Sequence, residues 1–244
     1  MIGFEYRDAA MNMALDEAVM EGLAAGSSVP TVRFYGWRPS AVSIGRFQSL
    51  KDEVDVDLCR TLHIDVVRRR TGGGAVLHSE VGEITYSVLA PEALMPKDIN
   101  EAYRSVCGEV IDALAMLGVR SQFSPINDVI VGGRKISGSA QTRRQGVFLQ
   151  HGTLLLHVEP DLMFTALKVS DAKVREKAVR SARERVTALD HHSGASRADA
   201  LVALTASFMD GKDWQPGDWL PAEIARAEEL VRTRYANDDW TFER

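Results

Sequence analysis

The run Arg68-Arg69-Arg70-Thr71-Gly72-Gly73-Gly74-Ala75-Val76-Leu77-His78 constrains this chain more than any other stretch. Three consecutive glycines interrupt two apolar segments, Asp65 to Arg69 and Ala75 to Leu77, whose composition reads as strand. The polypeptide turns here with backbone that a ligand can approach unhindered by Cβ atoms, and with positive charge alongside. That environment suits a phosphate. The same residues also describe a tight loop beside solvated arginines, so the motif alone leaves both readings open.

The remaining pattern predicts an α+β fold. Met11, Leu15, Val19 and Leu23, with Ala18 between them, follow the spacing of an amphipathic helix ending near Gly26. Val32 and Phe34 alternate in a strand, Ala41 to Ile44 forms another after a turn at Arg38-Pro39-Ser40, and a short helix covers Asp57 to Leu62. Extended segments follow at Asp65 to Arg69, Ala75 to Leu77 and Glu83 to Leu89, with the arginine and glycine run as the first turn. Ala102, Val106, Val110, Leu114 and Leu117 mark a helix from Ile99 to Leu117, stopped by Gly118. Gly132-Gly133, between Asp128 to Val131 and Lys135 to Ala140, predicts a hairpin, and Val147 to Leu156 adds a strand. Helical patterns return at Asp161 to Leu167, at Ala198 to Phe208 and, opened by Pro221, around Ile224, Ala227 and Val231. Hairpins in place of regular βαβ units predict mixed and antiparallel sheets flanked by helices. The expectation is a single unit over 1–244, with its core in about 1–190 and a mainly helical portion in 191–244.

A chain of 244 residues can bury a large core without staples. Apolar runs such as Ile84 to Ala90 are too short to span a bilayer, and the N-terminus lacks the basic-then-apolar order of a signal sequence, so a cytoplasmic protein with no membrane partner is expected. The formal net charge of −5 argues against a general nucleic-acid binder. The charge is uneven: seven Lys/Arg stand against three acids between Lys168 and Arg185, while six bases face eleven acids from Val186 onward. Such a basic segment suggests an anion site or an acidic partner, with a solvated helical face as the alternative. Cys59 and Cys107 have neither metal-binding spacing nor a disulfide framework, and Cys107 falls in register with Val110, Leu114 and Leu117, which predicts a buried thiol.

Two more glycine-flanked polar clusters stand beside strands. Lys135 begins a strand among small residues, from which its ammonium can reach a phosphate or a carboxylate. Asp128, on the partner strand, suits a Mg²⁺ shared with phosphates. Exposed hairpin side chains are the ordinary alternative for both. Gln150-His151-Gly152-Thr153 starts an apolar strand, where a lone histidine is usually structural.

Taken together, these blocks resemble the lipoate-protein ligases. The resemblance is carried by Asn12 to Ala18, Ala41 to Gln48, Arg68 to His78, Gly133 to Gln141, His151 to Leu155 and Ser181 to Val186, in that family's order and over about residues 11 to 190. It implies the biotin/lipoate ligase fold and a two-step reaction: lipoate and Mg-ATP give lipoyl-AMP, and the acyl group then passes to a lysine of a lipoyl domain. The acceptor would be a 2-oxoacid dehydrogenase E2, a glycine-cleavage H protein or a similar carrier. Lys135 would be the catalytic residue, holding the lipoate carboxyl and the α-phosphate. ATP and lipoyl-AMP would be bound by Arg69, Gly72, Gly73, Gly74, Ala75, Val76, Leu77 and His78, by Asn127, Asp128, Gly138 and Ser139, and by His151, Gly152 and Thr153. Asp128 would also stand at the Mg²⁺. Arg68 and Arg70 would be solvated flanks, and the Lys168-to-Arg185 segment would cover the adenylate.

Octanoyltransferases share this fold and move an acyl group from acyl carrier protein through a cysteine thioester without ATP. Glu83 to Val88 and Thr142 to Gly152 lean that way. A transferase of this kind needs a thiol just upstream of the Asp128 strand, yet Arg120 to Ile126 contains no cysteine, and Gly74 stands where transferases tend to carry an arginine. The ligase is therefore the main expectation, ahead of an octanoyl or lipoyl transferase and of a non-catalytic lipoate-binding module. A biotin ligase is disfavoured because its Gly-Arg-Gly-Arg type motif is missing. Ser79 after His78 and Glu83 after Gly82 depart from the ligase pattern, so no family role is carried to those positions. Many lipoate ligases continue beyond the equivalent of Trp240 into an accessory domain, so either this chain is a compact ligase or a separate accessory subunit supplies that part.

Overall fold

Asp8 opens the first helix by accepting a hydrogen bond from the Met11 N–H, and Gly26, at φ 72°, closes it. This helix, α1 (Ala9–Ala25), follows strand β1 (Ile2–Arg7). The computed structural model describes residues 1–158 and 184–243. Every residue from Asn12 to Met20 is buried, so α1 is no amphipathic surface helix. It lies between a sheet and a later helix, and its polar residues Asn12, Asp16 and Glu17 are matched by buried partners described below.

Among the described residues, one sheet has seven strands in the order β1, β2 (Thr31–Trp37), β6 (Glu83–Pro91), β10 (Val147–Leu155), β9 (Arg134–Arg144), β8 (Asp128–Val131), β7 (Gln122–Ser124). Only the β1–β2 pair in it is parallel. A second sheet has three strands, with β3 (Ala41–Ile44) between β4 (Asp65–Arg68) and β5 (Val76–His78). Two short helices, α2 (Leu50–Glu53) and α3 (Val56–Thr61), connect β3 to β4. The fold is thus α+β, with mixed sheets flanked by helices.

The small sheet changes the meaning of the glycine run. β4 is parallel to β3 and β5 is antiparallel to it, so β4 and β5 occupy opposite edges and do not pair with each other. The run therefore crosses over β3 and is not the turn of a hairpin. By contrast, Gly132 and Gly133, both with positive φ, do close the expected hairpin of β8 and β9.

Alternate residues of the large sheet feed two cores. Phe34, Ile84, Tyr86 and Phe148 pack with α4 (Ile99–Met116) and α5 (Arg197–Met209). Tyr35 and Trp37 face the other way, toward α1 and α6 (Pro221–Leu230), which Pro221 starts at its first turn. The chain continues through a π turn, Val231–Tyr235, into a final short helix, α7 (Asp238–Thr241). The helix expected at Asp161 to Leu167 lies outside the described residues, as does all of the Lys168-to-Arg185 segment except its last two positions. No helix of the described residues is long and apolar enough to cross a membrane.

Candidate active site

The register of two hairpins gathers the polar clusters. Asp128 pairs with Gly138 across β8 and β9, and Gly138, Ser139 and Ala140 pair with Thr153, Gly152 and His151 across β9 and β10. Lys135 Nζ lies 2.7 Å from Asp128 Oδ1. That oxygen is otherwise without an aligned hydrogen bond, so the contact is electrostatic. A Cβ on Gly138 would meet Lys135 Cε and Nζ at 2.3 Å, so glycine there is what lets the lysine tip lie over the strand. From outside the sheet, the Thr187 N–H donates to Lys135 O at 2.8 Å and fixes the lysine backbone.

A cavity of about 370 Å³ opens between the two sheets at this point. Of the positions named from sequence, Arg69, Gly73, Gly74, Ala75, Val76, Leu77, His78, Asn127, Lys135, Gly138, Ser139, His151, Gly152 and Thr153 line it; Gly72 and Asp128 do not. Met13, Tyr35, Trp37 and Leu155 add an apolar wall.

Arg69 is the hub of the glycine run, in a different way from the one expected. All five of its N–H groups are engaged: Nε with Thr71 Oγ1 (3.1 Å), Nη1 with Ser43 O and Oγ (3.0 and 3.2 Å), Nη2 with Gly72 O and Gly74 O (2.7 and 2.8 Å). It therefore shapes the loop and has no N–H left to donate to a nucleotide. Burial lowers its pKa to about 10, which keeps it charged at neutral pH.

Two buried histidines carry this network to two carboxylates. His151 shares a 2.7 Å hydrogen bond with Thr71 Oγ1 and faces Asp16 Oδ2 at 3.3 Å. His78 shares a 2.8 Å bond with Ser43 Oγ and donates from Nδ1 to Glu83 Oε1 at 2.7 Å. His78 also stacks on Trp37 with ring centroids 4.0 Å apart. Asp16 in turn receives Arg33 Nε on Oδ1 and Ser87 Oγ on Oδ2, each at 2.9 Å. Burial pulls the His151 pKa below its ordinary value, so the neutral ring donates Nδ1–H to Asp16 and accepts at Nε2 from Thr71. For Asp16, burial works upward, but Arg33, His151 and Ser87 outweigh it and hold the carboxyl below the usual range.

Both shifts destabilise the fold in acid. Below the ordinary histidine value of 6.5, the unfolded chain binds a proton that folded His151 refuses, so stability falls with pH until the folded pKa is passed. Asp16 adds stability that is present above its unfolded value of 3.8 and is lost as pH falls through the folded value. The melting temperature is expected to drop steadily from pH 7.5 to 5, and His151→Gln flattens that slope. Equal slopes for both proteins in pH-dependent thermal unfolding would exclude His151 as the source.

The two flanking arginines are not solvated. Arg68 is fully buried, and Arg70 pairs with Glu17 at 3.2 Å, an acid that also receives the Tyr235 hydroxyl at 2.6 Å and an ion pair from Arg234. Sequence reasoning missed Asp16, Arg33, Ser43 and Glu83 as members of the network. The available signal was Asn12 and Asp16, four residues apart on a mostly apolar helix, which places two polar groups on one face that must find partners.

The model of the lipoyl protein ligase A/B catalytic domain matches residues 8–208. Octanoyltransferase LipM of Geobacillus kaustophilus (strain HTA426) is 35% identical over 270 residues, covering 98% of this chain and 96% of that protein. Among solved structures, a bi-partite lipoate protein ligase from Thermoplasma acidophilum, studied with its E2 lipoyl domain, superposes with a TM-score of 0.91 at 31% identity, covering 99% of this chain and 95% of that one. A lipoate-protein ligase A solved with ATP bound gives a TM-score of 0.84 at 28% identity, with 99% of each chain covered. The lysine strand, the glycine crossover and the cavity between them thus sit in a chain that belongs to the lipoyl protein ligase A/B catalytic-domain family.

Proposed function

We propose that this protein is an ATP-dependent lipoate-protein ligase, which activates lipoate as lipoyl-AMP and transfers the lipoyl group to a lysine of an acceptor lipoyl domain. The position of its thiols carries the reading. The sequence holds two cysteines, and both are buried: Cys59 in α3 packs beneath the small sheet, and Cys107 in α4 lies behind the large one, 3.8 Å from Ser139 Oγ. Neither lines the cavity, and burial pushes both thiols up to about 11. A thioester relay requires an accessible thiolate, which neither residue provides. An acyl donor activated outside the protein's own thiols fits this chain better.

The lipoate carboxylate would take the adenylyl group of bound ATP with release of pyrophosphate, and the acceptor lysine amine would then displace AMP from the acyl carbon. Lys135 then donates from Nζ to the carboxyl and phosphate oxygens as negative charge gathers on them. The backbone from Gly73 to Leu77 and the wall of Met13, Tyr35, Trp37 and Leu155 both line the cavity, where the first would lie against the nucleotide and the second would receive the acyl chain. No cluster of three metal-ligating side chains exists among the described residues. Asp128, the carboxylate expected at Mg²⁺, lies off the cavity with Oδ1 buried against the Lys135 ammonium, so phosphate oxygens would supply most of the ligands of a bound Mg²⁺.

A second reading has its own support. The similarity to proteins named octanoyltransferase runs through nearly the whole chain and favours octanoyl transfer from an acyl carrier protein more than it favours a ligase. The two readings separate by mass spectrometry of an apo lipoyl domain incubated with lipoate plus Mg-ATP or with octanoyl-acyl carrier protein. The ligase gives a lipoyl increment in the first mixture, retained in Cys107→Ser. Mass gain in the second mixture alone would overturn it. Because the Thermoplasma acidophilum ligase is described as bi-partite, one arm adds a candidate accessory polypeptide.

A further inference from the structure

Arg68 is fully buried yet does not line the cavity. Its guanidinium joins two separate segments. Nη1 contacts the carbonyls of Gly45, Arg46 and Gln48 at 3.2, 3.3 and 2.7 Å, while Nε and Nη2 donate to Trp240 O and Thr241 O at 3.0 and 2.9 Å. The Trp240 indole N–H returns a bond to Arg68 O at 2.9 Å. Arg46 pairs with both carboxylate oxygens of Glu243, at 2.6 and 3.1 Å. The guanidinium carbons of Arg46, Arg234 and Arg70 stand 4.4, 5.2 and 5.5 Å from the Trp240 ring, so one indole has three cations around it.

From this knot to the glycine run the path is backbone against backbone. The Arg46 N–H donates to Thr71 O at 2.9 Å, and the Arg69 N–H to Ile44 O at 3.0 Å. A Cβ on Gly45 would stand 2.1 Å from Gly73 O, so the two loops touch at a point where no side chain fits. A run of three glycines loses more conformational freedom on ordering than any other sequence of its length. Contacts that order it before a ligand arrives remove that cost from binding.

We propose that residues 238–243 form a strap that fixes the glycine loop from outside the cavity, with Trp240 and Arg68 as positioning residues for nucleotide binding. The nucleotide part rests on the ligase reading, whereas the fixing of the loop does not. The strap acts on the glycine-loop side of the cavity, so it favours the nucleotide over the acyl chain, which is assigned to Met13, Tyr35, Trp37 and Leu155.

The test uses full-length Trp240→Ala and Trp240→Phe. Hydrogen–deuterium exchange over residues 70–76 is expected to accelerate about tenfold in Trp240→Ala, with the β9–β10 hairpin unchanged as a control on folding. The KM for ATP is expected to rise about tenfold while that for lipoate stays within about twofold. Trp240→Phe keeps a ring but loses the N–H, and gives a smaller change of the same sign; if Trp240→Ala fails to fold, this variant decides alone. Unchanged exchange over 70–76 overturns the strap. Faster exchange with an unaltered KM for ATP overturns the positioning role. Faster exchange in a protein that shows no ATP dependence supports the strap and overturns the ligase reading.

Discussion

Lys135→Ala is expected to lower lipoylation of an acceptor domain by about a hundred- to a thousandfold, the cost of removing one preorganised donor from developing charge. Its effect on folding should be small, because the lysine side chain is 40% exposed and its ion pair with Asp128 is of the partly solvated kind worth about 1 kcal/mol or less. Under the proposed function the loss should appear in kcat, since the charge that Lys135 would meet is greater in the transition state than on the bound carboxylate. Lys135→Arg is not expected to rescue it: the lysine tip already fits against Gly138 so closely that a Cβ there would collide, and a guanidinium is wider. Single-turnover transfer monitored by mass spectrometry checks this, and a variant within tenfold of the native rate would remove Lys135 from its catalytic role.

Asp16→Ala is expected to be the most destabilising of these changes. Arg33 is fully buried, with Asp16 as its carboxylate partner and Asn12 supplying its backbone carbonyl at 2.6 Å. Deleting the acid leaves that cation without a counter-charge, which costs about 3–5 kcal/mol. For a chain of this size, that corresponds to a fall in melting temperature of roughly ten degrees or more. His151 also loses the acceptor that fixes its tautomer, so Thr71 and the loop behind it loosen. Asp16→Asn keeps the shape and one acceptor and should fall between the two. Thermal unfolding by circular dichroism decides: a drop of under about 1 kcal/mol would mean that Arg33 finds another partner.

The strands and the long helix were legible in the sequence because their periodicity is local. Ala102, Val106, Val110 and Leu114 mark α4, and the glycine pair of the β8–β9 hairpin dictates its own turn geometry. Strand partnership was less legible. Asp65 to Arg68 and Val76 to His78 read as neighbours through a turn, whereas each pairs with Ala41 to Ile44, a choice set by tertiary packing. Many of the cavity-lining positions were found through family motifs, while Ser43 and Glu83, which also line it, and Asp16 behind them escaped. A buried acid looks like a surface acid until Arg33 or His78 is seen beside it, and those partners lie 17 and 5 residues away. The same reason hid the roles of Arg68 and Arg70, whose partners come from the loop after β3, from the far end of the chain and from α1.

The five-fold engagement of Arg69 also decides the polarity of the surface in front of it. The peptide units of the glycine run are planar and trans, so a carbonyl drawn to one side sends the N–H of the same unit to the other. By taking the carbonyls of Gly72 and Gly74, Arg69 turns the N–H groups of Gly73 and Ala75 away from itself. A cation with no N–H free for a ligand thereby makes donors of its neighbours, acting as a mould whose imprint is a pair of oriented dipoles. Lysine in its place would keep the charge and lose the mould, because three donors on one nitrogen cannot hold five acceptors spread around a plane.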